Sequence, residues 1–330
     1  MILTLAGERR NYPSGLKREL IMKSRKRAFQ RDIVIHCYQR TADGGLLFYT
    51  YSDYLVWFTH VCLAAKRYNV TILAACPMPD HVHLSVRAAS AKSLSEFEQR
   101  WTGDYAREYN TFCNARGSVF SSPFGSAVKI GDKKARSNIV YVGNNPVERR
   151  LAERAEDYRW TFLAYYASRN PFSKPLIIRQ SSWPLKRAVK FVETQIKASK
   201  PLKHCQLKRL FKPLSYEECQ QLTDFIISTY NVIDYEAAIS FFGSYENMLA
   251  AMHSTTGSEH DLNEVFIGKT DEHFAKMAAI VMHELKLDDI HEILTYDMDK
   301  KYELFQLIRK HSNALSADIF RFLHMPIKKA

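Results

Sequence analysis

The segment Met78-Pro-Asp-His-Val-His-Leu-Ser-Val carries two histidines at a spacing that suits metal binding. Side chains alternate between the two faces of a strand, so in an extended segment His81 and His83 project from the same face. Two imidazoles on one face can bind a divalent cation while Val82 turns into the core. The pair alone does not exclude the alternative of two ordinary histidines on a sheet surface.

A second segment, Tyr141-Val-Gly-Asn-Asn145-Pro-Val, places a phenol and an amide four residues apart. On a helix these positions share a face, so Tyr141 can serve as a nucleophile and the amide oxygen of Asn145 as a third metal ligand. Oxygen and imidazole ligands suit Mg²⁺ or Mn²⁺ better than structural zinc, which usually takes four protein ligands. The competing interpretation is that Tyr141 packs in the core and Asn145 caps a helix that begins at Pro146.

The charge of the chain favours a polyanionic partner. The net charge is +12 over 330 residues. Residues 1–31 contain nine lysines and arginines against two glutamates, and residues 183–215 contain nine against one. Two such concentrated basic blocks favour nucleic acid, with a membrane surface as the weaker competitor. We expect Arg25, Lys26 and Arg27 in the first block, and Lys186, Arg187 and Lys190 in the second, to contact DNA.

The composition also limits the classes of protein to which the chain can belong. The chain has neither an apolar run of about 20 residues that could span a bilayer nor an apolar signal segment at its start. We therefore expect a soluble protein of the cytoplasm, associated with the nucleoid, and no membrane partner. The six cysteines form no C-x-x-C pair, which argues against zinc-ribbon and thioredoxin-like sites and favours reduced thiols.

Hydrophobic spacing predicts the elements that must position these residues. Strands are expected at 32–39, 70–78 and 81–87, with 46–49 also extended. A helix is expected over 52–68, with Ser52 or Asp53 as its N-cap. A second helix is expected over 94–114, with a capping box at Ser93 and Glu96. Residues 117–130 favour a hairpin or irregular strand, residues 133–144 a helix, and Pro146 the start of another short helix.

These elements suggest four regions along the chain. Residues 1–30 form a basic N-terminal arm, and residues 31–170 mix strands and helices as in an α+β domain. Residues 171–215 form a proline-broken basic connector. Residues 216–330 carry mostly helical patterns, and the stretch 302–323 resembles the first two helices of a helix-turn-helix unit.

Three separated motifs together resemble one known family. They are M-P-D-H-V-H-L, the later Y-V-G-N-N-P-V, and Tyr158-Arg-Trp-Thr-Phe-Leu-Ala-Tyr. Their order and spacing over residues 31–168 resemble the REP-associated tyrosine transposases of the HUH single-strand nuclease superfamily. The resemblance implies a ferredoxin-like antiparallel sheet with flanking helices. It departs from the family at Gly143, where a better helix former is expected.

The resemblance also implies roles for the residues already singled out. His81, His83 and Asn145 match the positions that bind Mg²⁺ or Mn²⁺. Tyr141 matches the nucleophile that forms a 5′-phosphotyrosine link to single-stranded or hairpin DNA. The implied function is cutting and rejoining of hairpin-forming repetitive DNA, with the helical residues 216–330 following the HUH domain.

Two other functions are weighed against this one. A replication initiator or relaxase shares the histidine motif, but the short layout with a single tyrosine and no helicase-like segment disfavours it. A DNA-binding regulator that no longer cuts is disfavoured because all four proposed active residues are present. His36 on the first strand is a further candidate for the site. Whether the chain acts as a monomer or a homodimer is left open by the sequence.

Overall fold

Four strands form one antiparallel sheet at the centre of the N-terminal part of the chain. The structure is a computed structural model that describes residues 28–121, 123–254 and 273–326. The strands are β1 (Val34–Arg40), β2 (Val70–Met78), β3 (His81–Ala88) and β4 (Gly125–Lys129), and they lie in the order β2-β3-β1-β4. Helix α1 (Tyr51–Tyr68) joins β1 to β2, and helix α2 (Ala91–Phe112) joins β3 to β4. This is the ferredoxin-like topology, so the predicted fold class is confirmed.

The two faces of the sheet have different neighbours. Ile35 on β1 and Leu84 on β3 belong to the large apolar core that α1 and α2 close. Val34 on β1 and Cys76 on β2 project the other way, into a second core. Helix α3 (Asp132–Glu148) covers that second face and packs mainly on β2 and β3. The alternation therefore sends His36, His81 and His83 toward α3.

The rest of the described chain is almost wholly helical, as predicted beyond residue 216. Its helices are α4 (Trp183–Lys197), α5 (His204–Phe211), α6 (Tyr216–Tyr230), α7 (Tyr235–Ile239), α8 (Tyr245–Ser254), α9 (His273–Leu285), α10 (Met298–His311) and α11 (Ser316–Phe322). Short 3-10 turns lie at Ala155–Asp157, Arg159–Thr161, Leu163–Tyr165 and Ile290–Thr295. The segment predicted as a basic connector thus contains two helices, α4 and α5.

These helices attach to the N-terminal α+β part of the chain at several places. Helices α5 and α6 pack on α1, and α4 packs on α5 and α6. Helix α8 packs on α3. Helices α9, α10 and α11 enclose a third apolar core, into which Leu46 from the N-terminal part inserts.

Several predicted local features are wrong. Residues 46–49, expected to be extended, join no strand of the sheet, and the backbone N–H groups of Leu47 and Phe48 donate to the carbonyl of Pro79. The predicted N-cap at Ser52 or Asp53 is wrong, because helix α1 begins at Tyr51 and its N-cap is Thr50. Asp53 lies in the first turn of α1 and accepts hydrogen bonds from the N–H groups of Tyr49 and Thr50.

The start of α2 also differs from the prediction. The N-cap is Ser90, whose side chain accepts from the N–H of Ser93, so the capping box predicted at Ser93 and Glu96 lies three residues too late. The predicted strand within 117–130 is the edge strand β4. No helix among the described residues is both long and apolar enough to cross a membrane. All six cysteines, each within the described residues, are free thiols.

Candidate active site

The two histidines of β3 lie side by side on the face of the sheet that α3 covers. Their ring centroids are 4.7 Å apart and the rings are nearly perpendicular. Cross-strand pairing places His83 between Tyr38 of β1 and Cys76 of β2. Both rings are buried.

Each histidine is held through the same ring nitrogen. The Nδ1 atom of His81 lies 2.5 Å from a carboxylate oxygen of Asp80, and the Nδ1 atom of His83 lies 3.0 Å from Nε2 of His36. A group that bonds one ring nitrogen of a metal-binding imidazole fixes the tautomer and the orientation of the ring, so that the other nitrogen faces the metal. The Nε2 atom of His83 is buried and makes no hydrogen bond within the described part of the chain. Nε2 is therefore the nitrogen of His83 that is left to bind a cation.

The surroundings shift the pKa values of His83 and Asp80 in ways that fix the charge of each. Burial, the neighbouring His81 and His36, and the nearby Arg40 and Arg149 together hold the pKa of His83 well below its ordinary value. His83 is therefore neutral at physiological pH, as a metal ligand must be. Burial would raise the pKa of Asp80, but His81, Arg149 and Arg321 together outweigh it and lower that pKa, so the carboxylate stays ionised.

Helix α3 brings Tyr141 to the histidines. The Tyr141 ring meets His83 edge-on at a centroid distance of 5.3 Å, and meets His36 edge-on at 5.6 Å. The hydroxyl of Ser85, two residues along β3 from His83, donates to the side-chain oxygen of Asn138, one helical turn before Tyr141. This bond connects α3 to β3 and fixes where Tyr141 lies along β3.

Asn145 lies one turn further along the same continuous helix. The prediction that a second helix begins at Pro146 is wrong, because α3 runs on to Glu148 with Pro146 inside its last turn. A proline there removes only one backbone donor, close to the point where the helix ends. The Nδ2 atom of Asn145 donates to the carbonyl of Tyr141 at 2.9 Å. The Tyr141 carbonyl can accept a hydrogen bond only from the NH₂ group of the Asn145 side chain. This bond therefore leaves Oδ1 of Asn145 as the atom that can contact a cation.

The residues present fit a cation with few protein ligands. Among the described residues, no group of three or more His, Cys, Asp or Glu is arranged to hold a metal ion. A site built on His81 and His83 therefore needs a ligand of another kind, such as the Asn145 amide or the substrate phosphate. A cation held there would complete its shell with waters and substrate phosphates, as Mg²⁺ usually does in proteins.

Gly143, the departure from the family pattern, lies where α8 meets the tyrosine helix. A Cβ atom at Gly143 would approach Cε of Met252 to 2.8 Å. The side chain of Asn144 donates to the carbonyl of Met252 at 2.8 Å. The glycine thus allows α8 to pack closely on the helix that carries Tyr141.

The structure describes three of the six predicted DNA-binding residues. Arg25, Lys26 and Arg27 lie outside the described residues. Lys186, Arg187 and Lys190 lie on α4, whose buried side chains join the core on the α1 and α2 side of the sheet. They are therefore separated from the histidine pair by the sheet.

Sequence reasoning missed Asp80, Ser85 and Asn138 as parts of the site. Asp80 had a signal, since it directly precedes His81 in the motif. Ser85 also had one, because it continues the alternation of His81 and His83 on the same face. The pairing of Asn138 with Ser85 depends on how α3 packs across the sheet and has no counterpart in local sequence.

The chain is similar in part to known proteins. Residues 53–145, which include all four proposed active residues, match the family model described as Transposase IS200 like. A solved structure described as a REP-associated tyrosine transposase bound to a REP hairpin is similar at 13% identity, with a TM-score of 0.35, over 42% of this chain and 81% of that chain. A comparison with curated proteins gave no match. The chain is thus similar over residues 53–145 to IS200-like transposases, a segment that also holds the motifs His81-Val-His83 and Tyr141 with Asn145.

Proposed function

We propose that the chain is a metal-dependent transposase that cuts and rejoins single-stranded DNA through a covalent link to Tyr141. The observation that carries the proposal is the contact of the Tyr141 ring with His83, which brings a phenol to a buried pair of imidazoles, of which His83 has a pKa well below its ordinary value. A hydrolase that activates water has no need of such a tyrosine.

The covalent step conserves the number of phosphoester bonds. The Oη atom of Tyr141 attacks the phosphorus of the scissile diester, and the bond from phosphorus to the 3′ oxygen of the preceding nucleotide breaks. The net transfer moves the phenol proton to the departing 3′ oxygen, which leaves a 5′-phosphotyrosine and a free 3′ hydroxyl. A second 3′ hydroxyl can reverse the step without ATP, because the phosphoester is retained.

His81 and His83 would hold the cation through their Nε2 atoms, and Asn145 would contribute Oδ1. A bound Mg²⁺ or Mn²⁺ makes the phosphate a better electrophile and stabilises the charge that develops around phosphorus. The protein residues orient the reacting groups: Asp80 and His36 fix the two imidazoles, and the bond from Ser85 to Asn138 fixes the tyrosine helix.

Hairpin-forming repetitive DNA is the substrate that the motif resemblance implies. The basic groups Arg25, Lys26 and Arg27 in the arm, and Lys186, Arg187 and Lys190 on α4, would bind its phosphates. Neutralising the three arm residues should weaken binding and flatten its salt dependence, the slope falling by about 0.7 to 0.9 for each phosphate that the arm no longer neutralises. Binding that is unchanged at low and high salt would remove the arm from the proposal.

A denaturing gel tests the covalent step. The protein is incubated with labelled hairpin DNA that carries a single-stranded flank, with Mn²⁺ or Mg²⁺. We expect a protein–DNA adduct that disappears in Tyr141→Phe and persists in Tyr105→Phe, a control that changes a buried tyrosine of α2. Cleavage that survives in Tyr141→Phe contradicts the mechanism. DNA binding without any adduct favours the alternative of a non-cleaving regulator.

A further inference from the structure

Helix α4 presents a stripe of exposed side chains in a part of the chain that the family match does not cover. The stripe, here called the α4 stripe, is formed by exposed residues at helical spacing, namely Trp183, Arg187, Lys190, Thr194 and Lys197. The opposite face of α4 is buried in the main core through Leu185, Ala188, Val189 and Val192. The stripe is therefore the outward face of a firmly packed helix.

Trp183 differs from the other three tryptophans, all of which are described. Its surface is 66% exposed, whereas Trp57, Trp101 and Trp160 are buried. An exposed indole leaves a large apolar surface in water, and such surfaces commonly mark a binding site. The guanidinium carbon of Arg187 lies 4.5 Å from the centroid of the Trp183 ring. The stripe thus begins with a flat aromatic surface held beside a positive charge.

Positive charge continues along the helix beyond this pair. Lys190 and Lys197 lie one and three turns past Arg187, and Glu193 is the only acidic residue of α4. Residues 183–215 contain nine lysines and arginines against that one glutamate. A row of cations with an aromatic ring at one end has the chemistry of sites that follow a nucleic-acid backbone and stack a base.

We propose that the α4 stripe binds unpaired nucleotides of the DNA substrate, with Trp183 stacked on a base and Arg187, Lys190 and Lys197 on the phosphates. The proposal rests on the proposed function for DNA as the partner. Unpaired DNA is favoured over duplex because a paired base offers its edge in a groove and keeps its ring faces stacked. DNA is favoured over a membrane because the apolar face of α4 is already buried and cannot insert into lipid.

The stripe lies on the α1 and α2 side of the sheet, away from Tyr141. It therefore holds DNA without taking part in cleavage, and its loss leaves the covalent step intact once DNA is saturating. This separation makes the stripe testable apart from the chemistry.

Tryptophan fluorescence of the full chain tests the proposal directly, because Trp183 is the exposed emitter. We expect a short single-stranded oligothymidylate to quench the emission and a blunt duplex of equal length to leave it nearly unchanged.

In Trp183→Ala, affinity for the oligothymidylate measured by anisotropy should fall by about tenfold, the effect of losing one stacked base. Arg187→Gln with Lys190→Gln should reduce the salt slope by about 1.4, the effect of two single-strand phosphates that are no longer neutralised. The matched control, Arg309→Gln with Lys310→Gln, removes two exposed charges of α10 and should change neither the affinity for the oligothymidylate nor the salt slope.

The outcomes separate this proposal from the proposed function. Emission that single-stranded DNA does not change, in a protein that still forms the Tyr141 adduct, overturns the α4 stripe and leaves the transposase intact. Quenching and tenfold weakening without any adduct support the stripe and contradict the transposase. Equal quenching by duplex overturns the claim for unpaired bases. If phosphatidylglycerol vesicles shift the tryptophan emission to the blue and DNA does not change it, the stripe binds membranes and the proposal is overturned.

Discussion

The Nε2 atom of His36 on β1 lies 3.0 Å from the Nδ1 atom of His83 on β3. His83 is fully buried, and its depressed pKa keeps it neutral, so it carries a single ring proton. With Nδ1 engaged by His36, the other nitrogen is the one that a cation can reach. The neighbouring strand therefore determines how the proposed metal ligand is oriented.

We expect His36→Ala to weaken Mn²⁺ binding by about 10- to 100-fold, the usual effect of removing an outer partner of a metal ligand. Isothermal titration of the folded variant with Mn²⁺ measures this change. His36→Gln, which can still bond Nδ1 of His83, should recover part of the affinity. Affinity equal to that of the unmodified protein in His36→Ala would show that the contact does not orient the ligand.

Asn145 has two separable roles, and two substitutions distinguish them. Asn145→Ala removes both Oδ1 and the donor to the Tyr141 carbonyl, whereas Asn145→Asp keeps an oxygen and loses that donor. If Oδ1 binds the cation, Mn²⁺ affinity and adduct formation should fall in Asn145→Ala, and Mn²⁺ affinity should persist in Asn145→Asp. Equal loss of Mn²⁺ affinity in both variants would assign Asn145 to holding the helix rather than the metal.

The sequence predicted those parts of the site whose geometry is local. The alternation around Val82 is enough to place His81 and His83 on one face, and the four-residue spacing is enough to place Asn145 one turn from Tyr141. The bond from His36 to His83 joins residues 47 positions apart. It depends on the register of β1 against β3, which local patterns do not determine.

Failures of local prediction have the same origin in tertiary structure. Leu46 and Leu47 have the composition of a strand, yet each is buried in a different core, so the segment crosses between cores instead of pairing. Pro146 suggests a helix start, yet near the end of α3 its missing N–H is cheaply tolerated. Gly143 gives no local signal of its purpose, because its neighbour Met252 is more than 100 residues away.

Gly143 and Met252 should be energetically coupled. In an ordinary helix, Gly→Ala stabilises by about 1 kcal/mol, but at Gly143 the new Cβ must displace the buried end of Met252. We expect Gly143→Ala to give little or no gain in the unmodified protein and to stabilise by about 1 kcal/mol in a Met252→Ala background. Urea unfolding of the four proteins in this double-mutant cycle measures the coupling.

The matched control for this cycle is Gly103→Ala in α2. At Gly103 the nearest neighbour of an added Cβ is the flexible end of Arg107 at 3.6 Å, so there is room for the methyl group. Gly103→Ala should therefore stabilise equally with and without Met252. A coupling near zero between Gly143 and Met252 would show that α8 does not depend on the glycine to pack on α3.

A buried charge cluster predicts how stability depends on pH. One carboxylate oxygen of Asp53 on α1 lies 3.1 Å from Nε2 of His204 on α5 and 3.0 Å from Nε2 of His291. Burial would lower the pKa of His291, but Asp53 and Asp289 outweigh it and raise that pKa to about 10. The pKa of His204 is also raised, because Asp53 and Glu108 outweigh its burial. Asp53 is held ionised, since the two histidines outweigh burial and lower its pKa.

A raised histidine pKa stabilises the fold fully below the unfolded value of about 6.5, and this contribution is lost as pH rises toward 10. A lowered carboxyl pKa stabilises the fold above about 3.9 and is lost as pH falls. The cluster should therefore contribute most between about pH 4 and pH 6.5. Urea midpoints measured from pH 7 to pH 10 should fall more steeply for the unmodified protein than for His291→Gln. His283→Gln, a control at an exposed histidine of α9, should keep the original slope. A slope in His291→Gln equal to that of the unmodified protein would show that His291 does not carry this dependence.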